Sequence, residues 1–303
     1  MKQSTTTSLT ASLILLLVLS IWIGSSRQRA IDQTRPQTSV VGPPPPDIAH
    51  ITEAIVFDTS DGVTLRGWYL APPNAKAAIV LLHGHGYDRY AMLNRARWLV
   101  HQGYACLVYD ARGHGESDAV RVTIGYRERE DLLAAAAWLR ARGWPTFVAI
   151  GFSQGAVAIL EAANDLPGLR GAVLESPFDT LGHHAARTFA HRLPLLPGAW
   201  TSAWYTHFLR KRLELGATLR EPLACAADLP CPSWFIAGGQ DPYSPPADVH
   251  LLYDHAPEPR HFSEFKTVGH GDFYQADPER YTSELKAFLD VALKSGQEIP
   301  ARP

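Results

Sequence analysis

Cysteine is scarce in this chain: among 303 residues there are three, Cys106, Cys225 and Cys231. Three thiols cannot build a disulfide framework, and no C-x-x-C pair supplies the spacing of a structural zinc site. One bridge, Cys225 to Cys231, stays open if the domain is exported, although Pro230 and Pro232 restrict the second thiol. Cys106 lies in the apolar run 104–108 and reads as a small core residue. Excess charge is missing as well. The net charge is -2, and no run of five or six like charges occurs. That excludes the electrostatic footprint of a nucleic-acid binder, so no nucleic acid is expected as partner. No internal repeat is present. Charged residues make up 19% and apolar residues 46%, so a large core can be buried. The length fits one large α/β domain with an appendage.

A comfortable membrane span is also lacking. The apolar stretch from Leu9 to Ile23 covers about 15 residues, short of the roughly 20 that cross a bilayer easily. Residues 1–25 fit a signal anchor or a signal peptide. No clean small-x-small cleavage site follows, and no cysteine that could carry a lipid, so a retained single anchor is the preferred reading. A buried helix of the fold is the poorer one, because a proline-rich linker separates this segment from the rest. Lys2 and the amino terminus flank one side, while Arg27, Arg29 and Arg35 flank the other. The positive-inside rule is in conflict here. The domain is taken as membrane-anchored through this segment, or exported and extracytoplasmic. Residues 26–50 read as the linker. Pro36 and Pro43-Pro44-Pro45-Pro46 favour extended polyproline II, expected to hold the domain off without packing.

Residues 51–295 read as an α/β domain, with 296–303 as a tail. Strands are expected at 54–58, 64–70, 78–82, 105–109, 147–150, 171–174, 233–237 and 261–265. The first two flank Asp61-Gly62 and form an antiparallel hairpin. Later ones, such as Ala78-Ile79-Val80-Leu81-Leu82, are continuous apolar runs suited to strands covered on both faces. Helical patterns at 89–100, 126–140, 154–163, 246–255 and 278–293 alternate with them. This alternation implies crossover units and a mostly parallel sheet flanked by helices. About 180–225 breaks the pattern and is too long for a structureless connection, so a helical cap insertion is expected. Its aromatics Phe189, Trp200 and Trp204 are candidate substrate contacts.

Gly151-Phe152-Ser153-Gln154-Gly155 matches the nucleophile elbow, G-x-S-x-G, between an apolar strand and a helix as that turn requires. His83-Gly84-His85-Gly86 also follows a strand and precedes a helix. A glycine-rich turn lets backbone N–H groups approach a developing oxyanion. The amides of His85 and Gln154 are the expected donors. His83 and His85 could instead ligate zinc, but no carboxylate stands close in sequence, and no metal is assigned.

Tyr109-Asp110-Ala111-Arg112-Gly113-His114-Gly115-Glu116-Ser117 resembles the D-x-R-G-x-G-x-S turn of many α/β-hydrolases. The likeness is strongest to the branch of serine aminopeptidases and monoacylglycerol lipases, and it covers roughly 53–293. It implies an eight-stranded, mainly parallel sheet, no cofactor, and cleavage of an ester, thioester or amide in a small acyl substrate through an acyl-enzyme. The Asp110–Ser117 turn itself is expected to be structural. In this fold the order is nucleophile, acid, histidine. The resemblance places the acid at Asp241, in Gly238-Gly239-Gln240-Asp241-Pro242, and the base at His270, in Val268-Gly269-His270-Gly271-Asp272. Asp179 competes for the acid's role. A second imidazole, His85, stands where the family usually has an apolar or small residue.

An esterase-like hydrolase is the leading function. An aminopeptidase would need acidic cap residues to bind a free amine, and only Glu214 and Glu221 lie between 180 and 224. An inactive membrane-tethered binding protein on the same scaffold would usually have lost a triad member, yet all three are here. Dehalogenases and epoxide hydrolases need a carboxylate at position 153. The sequence leaves the oligomeric state undetermined.

Overall fold

The computed structural model describes residues 2–192, 198–214 and 220–294, with side chains described at 12–189, 202–214 and 220–294. The expected tail at 296–303 lies outside these residues. The chain divides into two compact units. One is Met1–Thr34 with Leu181–Leu219, and the other is Arg35–Thr180 with Arg220–Pro303.

The larger unit is built on an eight-stranded sheet of β1 (Thr52–Asp58), β2 (Thr64–Leu70), β3 (Ala78–Leu82), β4 (Ala105–Tyr109), β5 (Phe147–Phe152), β6 (Leu169–Glu175), β7 (Ser233–Gly238) and β8 (Arg260–Phe265). The order across the sheet is β8-β7-β6-β5-β3-β4-β2-β1. Asp61-Gly62 makes the expected turn, and β1 pairs antiparallel with β2 from Thr52↔Leu70 to Asp58↔Thr64. β2 is also antiparallel to β4, and every later pairing is parallel.

Strands that lie under helices on both faces cannot alternate polar and apolar residues, and β3, β4 and β5 are buried throughout. Val80 and Leu82 face one core layer with Leu132 and Leu139 of α3 (Glu128–Ala141), Ile159 of α4 (Gln154–Ala162) and Leu252 of α7 (Pro246–His255). Ile79 and Leu81 face the other, with Leu99 of α2 (Leu93–His101) and Leu285 and Leu289 of α8 (Pro278–Lys294). Each such side chain contributes about 1.5–3 kcal/mol of burial.

The smaller unit holds α1 (Lys2–Gln33) and the insertion between β6 and β7, α5 (Leu181–Arg192) and α6 (Gly198–Leu213). The stretch Ser12–Gln33 is long and apolar enough to cross a membrane, at mean hydropathy 1.3. A signal sequence or a soluble core helix meets the same test.

Two linker expectations are corrected. Residues 26–33 are helical, the continuation of α1. From Gln37 the chain is strapped to the larger unit rather than held off it. Gln37 and Thr38 pair with His114 and Gly115, and Ser39 N–H donates to Gly115 O at 2.9 Å. Val41 and Ile48 are buried, Tyr90 donates its hydroxyl to Pro43 O, and Asp47 pairs with Arg97. Prolines favour extended backbone, and the non-proline residues before them supply the donors that a neighbouring strand accepts.

Candidate active site

The strand ends place the chemistry. At the end of β5 the chain reverses into α4 through Ser153, at φ 51° and ψ -113°. A non-glycine residue held at positive φ is costly and persists only where its surroundings enforce it. Here the enforcement is steric. A Cβ at Gly151 would lie 2.5 Å from Gly155 backbone, and one at Gly155 would lie 2.5 Å from Leu82 O. Ser153 N–H donates to Glu175 O on β6 at 2.7 Å.

The loop after β7 brings Asp241, and the loop after β8 brings His270. His270 Nε2 lies 2.9 Å from Ser153 Oγ, and Nδ1 lies 2.7 Å from Asp241 Oδ2. Asp241 Oδ1 accepts from the amides of Tyr243 and Ser244 at 2.8 and 2.9 Å, so the carboxylate is fixed by its own turn. Burial pushes Asp241 up, but His270 and these two amides outweigh it and hold the pKa below the ordinary value. The ionised carboxylate therefore receives Nδ1–H and leaves Nε2 as acceptor toward Ser153. Phe152 and Tyr243 pack on the imidazole at centroid distances of 5.0 and 5.4 Å. Asp179 is buried, its Oδ1 accepting from Thr180 N–H at 2.6 Å.

The His83–Gly86 turn lies against the elbow: a Cβ at Gly84 would come within 2.7 Å of the Phe152 ring and 3.4 Å of Ser153 Cβ. Two buried imidazoles pin this turn. His83 Nε2 accepts from Ala111 N–H at 2.9 Å, and its Nδ1 donates to Gly84 O at 2.7 Å. His114 Nε2 accepts from Gly86 N–H at 3.1 Å, and its Nδ1 donates to Arg112 O at 3.0 Å. Burial lowers both pKa values, that of His83 to about 4, so both rings are neutral. With both nitrogens of His83 engaged, the zinc reading of His83 and His85 fails. His85 sits in the turn with its ring 5.7 Å from that of His114, and Gln154 opens α4.

In the Asp110–Ser117 turn, Asp110 accepts from the amides of Arg89 and Glu116 at 2.8 and 2.9 Å. A Cβ at Gly115 would lie 2.2 Å from the Asp110 carboxylate. Arg112 Nε donates to Asp131 at 2.7 Å, and its two other nitrogens grip Asp61 at 2.7 and 2.9 Å. The segment is a scaffold for the neighbouring turns.

A parallel sheet with this strand order, an elbow serine and a following acid and histidine has clear relatives. A family model described as "Serine aminopeptidase, S33" matches residues 73–210. The chain superposes on an esterase of Pyrococcus furiosus, Pf2001, with TM-score 0.72 and 23% identity, covering 85% of this chain and 97% of that one. The chain has the α/β-hydrolase fold. An esterase of Exiguobacterium antarcticum shares the fold at TM-score 0.60 and 14% identity, over 78% of this chain and 100% of that one. In sequence, the chain is 26% identical to the uncharacterized protein YqkD of Bacillus subtilis, over 78% of this chain and 79% of the relative. It is 36% identical to the polyketide transferase grgF of a Penicillium species over 89 residues, 28% of this chain and 30% of the relative.

Sequence reasoning missed a buried ionic cluster behind the triad. Arg95 on α2 donates from Nε and a terminal nitrogen to Glu175 at 2.9 and 2.6 Å, and Tyr281 Oη donates to Glu175 at 2.5 Å. Its remaining nitrogen pairs at 2.9 Å with Asp272, two residues beyond His270. Burial opposes the charge on Arg95, and Glu175, Tyr281 and Asp272 outweigh it, raising its pKa. The only signal was charge inside apolar patterns, which has no characteristic spacing. A cavity of about 550 Å³ is lined by Gly86, Tyr87, Phe152, Arg95, Gly271 and Asp272, next to the residues that carry Ser153 and His270.

The expected cap contacts fare differently. Phe189 is 1% exposed, packed between Trp22 and Tyr205 at 5.0 and 6.3 Å, which makes it core of the smaller unit rather than a substrate contact. Trp204 is 40% exposed and stacks on Phe208 at 6.1 Å. The side chain of Trp200 lies outside the described residues. Cys225 and Cys231 are free buried thiols, both pushed up to about 12 by burial, so the possible bridge is absent.

Proposed function

We propose that this α/β-hydrolase is a serine hydrolase that cleaves an ester, thioester or related acyl bond through an acyl-enzyme. The observation that carries this reading is the hydrogen-bonded chain Ser153–His270–Asp241 on a serine at positive φ. His270 Nε2 takes the Ser153 proton as Oγ attacks the acyl carbonyl. Asp241 keeps the ring oriented and balances the imidazolium. The amides of His85 and Gln154 receive the oxyanion, and His83 and His114 hold the first of these donors through the turn they pin. His270 then protonates the leaving group, and water repeats the sequence to release the acid.

The cavity beside Phe152 is within the range that holds a small ligand, and its aromatic wall with a polar floor suits an acyl chain or alcohol bearing a polar end. The family description raises an aminopeptidase as the second reading. Against it, the segment 181–219 carries one acidic residue, Glu214, too little to bind a free amine there. α1 anchors the chain at a membrane in this reading.

A fluorophosphonate probe tests the proposal. The wild-type chain should be labelled and Ser153→Ala should not. A panel of p-nitrophenyl esters, thioesters and aminoacyl amides then separates the two readings. Equal labelling of both proteins removes the serine mechanism.

A further inference from the structure

The smaller unit carries features that acyl chemistry does not use, and they concern α1. From Ser12 to Ile21 every residue of the helix is exposed, on all sides. Leu13, Ile14, Leu15, Leu16, Leu17 and Ile21 are each 60–69% exposed. Beyond Trp22 one stripe turns inward. Ser26, Ala30 and Thr34, four residues apart, are each 0% exposed. Trp22 packs on Phe189 at 5.0 Å, and the Arg29 guanidinium lies 4.8 Å over the same ring. Gln33 Oε1 accepts from Tyr205 Oη at 2.5 Å, and its Nε2 lies 3.2 Å from His184 Nε2. Arg212 Nε donates to Thr34 Oγ1 at 2.5 Å. The second half of α1 is thus a third helix of the insertion.

Length and charge extend the argument. A helix rises 1.5 Å per residue, so the 20 residues before Trp22 span about 30 Å, one hydrocarbon thickness. No spacer remains between a lipid-embedded segment and the packed one. Trp22 falls at the boundary, where interfacial tryptophan is favoured. The charges are segregated. Residues 1–34 and 181–219 hold eight Lys or Arg against two acidic residues, while the rest of the chain holds 20 against 28. Arg187, Arg210 and Lys211 are exposed on α5 and α6, near in sequence to the exposed Trp204. Anionic leaflets attract such juxtamembrane basic groups within a Debye length.

We propose that α1, α5 and α6 form a membrane-docking module, with residues 2–21 in the bilayer and the insertion held flush against anionic headgroups. The segment is retained, since cleavage near residue 25 would strip Phe189 of Trp22. This inference does not rest on the acyl-transfer reading.

The test uses the full chain in phosphatidylcholine vesicles with or without phosphatidylglycerol. Nitroxide labels are placed one at a time at Leu17→Cys and at Ala203→Cys on the exposed side of α6. The native thiols are buried and should not compete. The label at 17 should be reached by oxygen and not by soluble nickel. The label at 203 should be relaxed by headgroup-chelated nickel, several-fold more in anionic than in neutral vesicles. Arg187→Gln with Arg210→Gln and Lys211→Gln should remove that lipid-charge difference. A label at 17 exposed to water, or a label at 203 that headgroup-chelated nickel does not relax in anionic vesicles, overturns the proposal. So does indifference of the wild-type 203 label to lipid charge.

Discussion

Arg95→Met removes the cation at the centre of the ionic cluster while keeping an unbranched apolar stem of similar reach. Glu175, 0% exposed, would lose two charge-assisted hydrogen bonds of 2.9 and 2.6 Å and keep only the one from Tyr281. Asp272 is 28% exposed and can rehydrate, so most of the damage falls on Glu175. Removing one partner of a buried pair costs about 3–5 kcal/mol, because the other charge is left uncompensated. At about 2–4 °C per kcal/mol for a domain of this size, Tm should fall by roughly 6–20 °C. Glu175→Gln in the same background removes the orphaned charge, so the double variant should melt above Arg95→Met. Glu175 O holds Ser153 N–H and Asp272 follows His270 by two residues, so kcat for a p-nitrophenyl ester should also drop at temperatures where the variant is fully folded. The assay is tryptophan fluorescence on heating the full chain in detergent, paired with ester hydrolysis at 25 °C. A double variant whose loss of Tm equals the sum of the two single losses would refute the reasoning.

Other outcomes follow from the same geometry. Asp241→Asn should lower kcat by several orders of magnitude while Asp179→Asn leaves the triad hydrogen bonds intact; the reverse ranking in ester hydrolysis would name Asp179 as the acid. His83 is neutral when folded, with a pKa of about 4 against about 6.5 unfolded, so the unfolded chain binds more protons between those values. Its contribution, about 3 kcal/mol, is present above pH 6.5 and lost as pH falls toward 4. Denaturant titrations at pH 7 and pH 4.5 measure that loss, and equal midpoints would contradict a buried neutral ring. Gly155→Ala should fail to give soluble enzyme, since its Cβ would meet the Leu82 carbonyl at 2.5 Å; a folded, active protein would show that the elbow can relax.

Much of this molecule was legible in its residue order, for identifiable reasons. Ala78–Leu82 and Ala105–Tyr109 are apolar at every position because both faces are covered, and a run of that kind needs no partner information to be recognised. Ser153, Asp241 and His270 are each flanked by glycine or proline turns that close local geometry demands. The inward stripe of α1 escaped notice because it consists of Ser26, Ala30, Gln33 and Thr34, small or polar residues with no hydrophobic periodicity to detect. The pairing of Gln37 with His114 is non-local, and nothing near either residue announces it. Phe189 was misplaced for a related reason: an aromatic in an irregular segment looks alike whether it lines a pocket or fills a core. Arg95 and Glu175 are 80 residues apart, and only the fold brings them together.

Cys106, Cys225 and Cys231 are all reduced and interior, so no covalent cross-link contributes to maturation. The folded state therefore contains no disulfide that a compartment's oxidants would have to form.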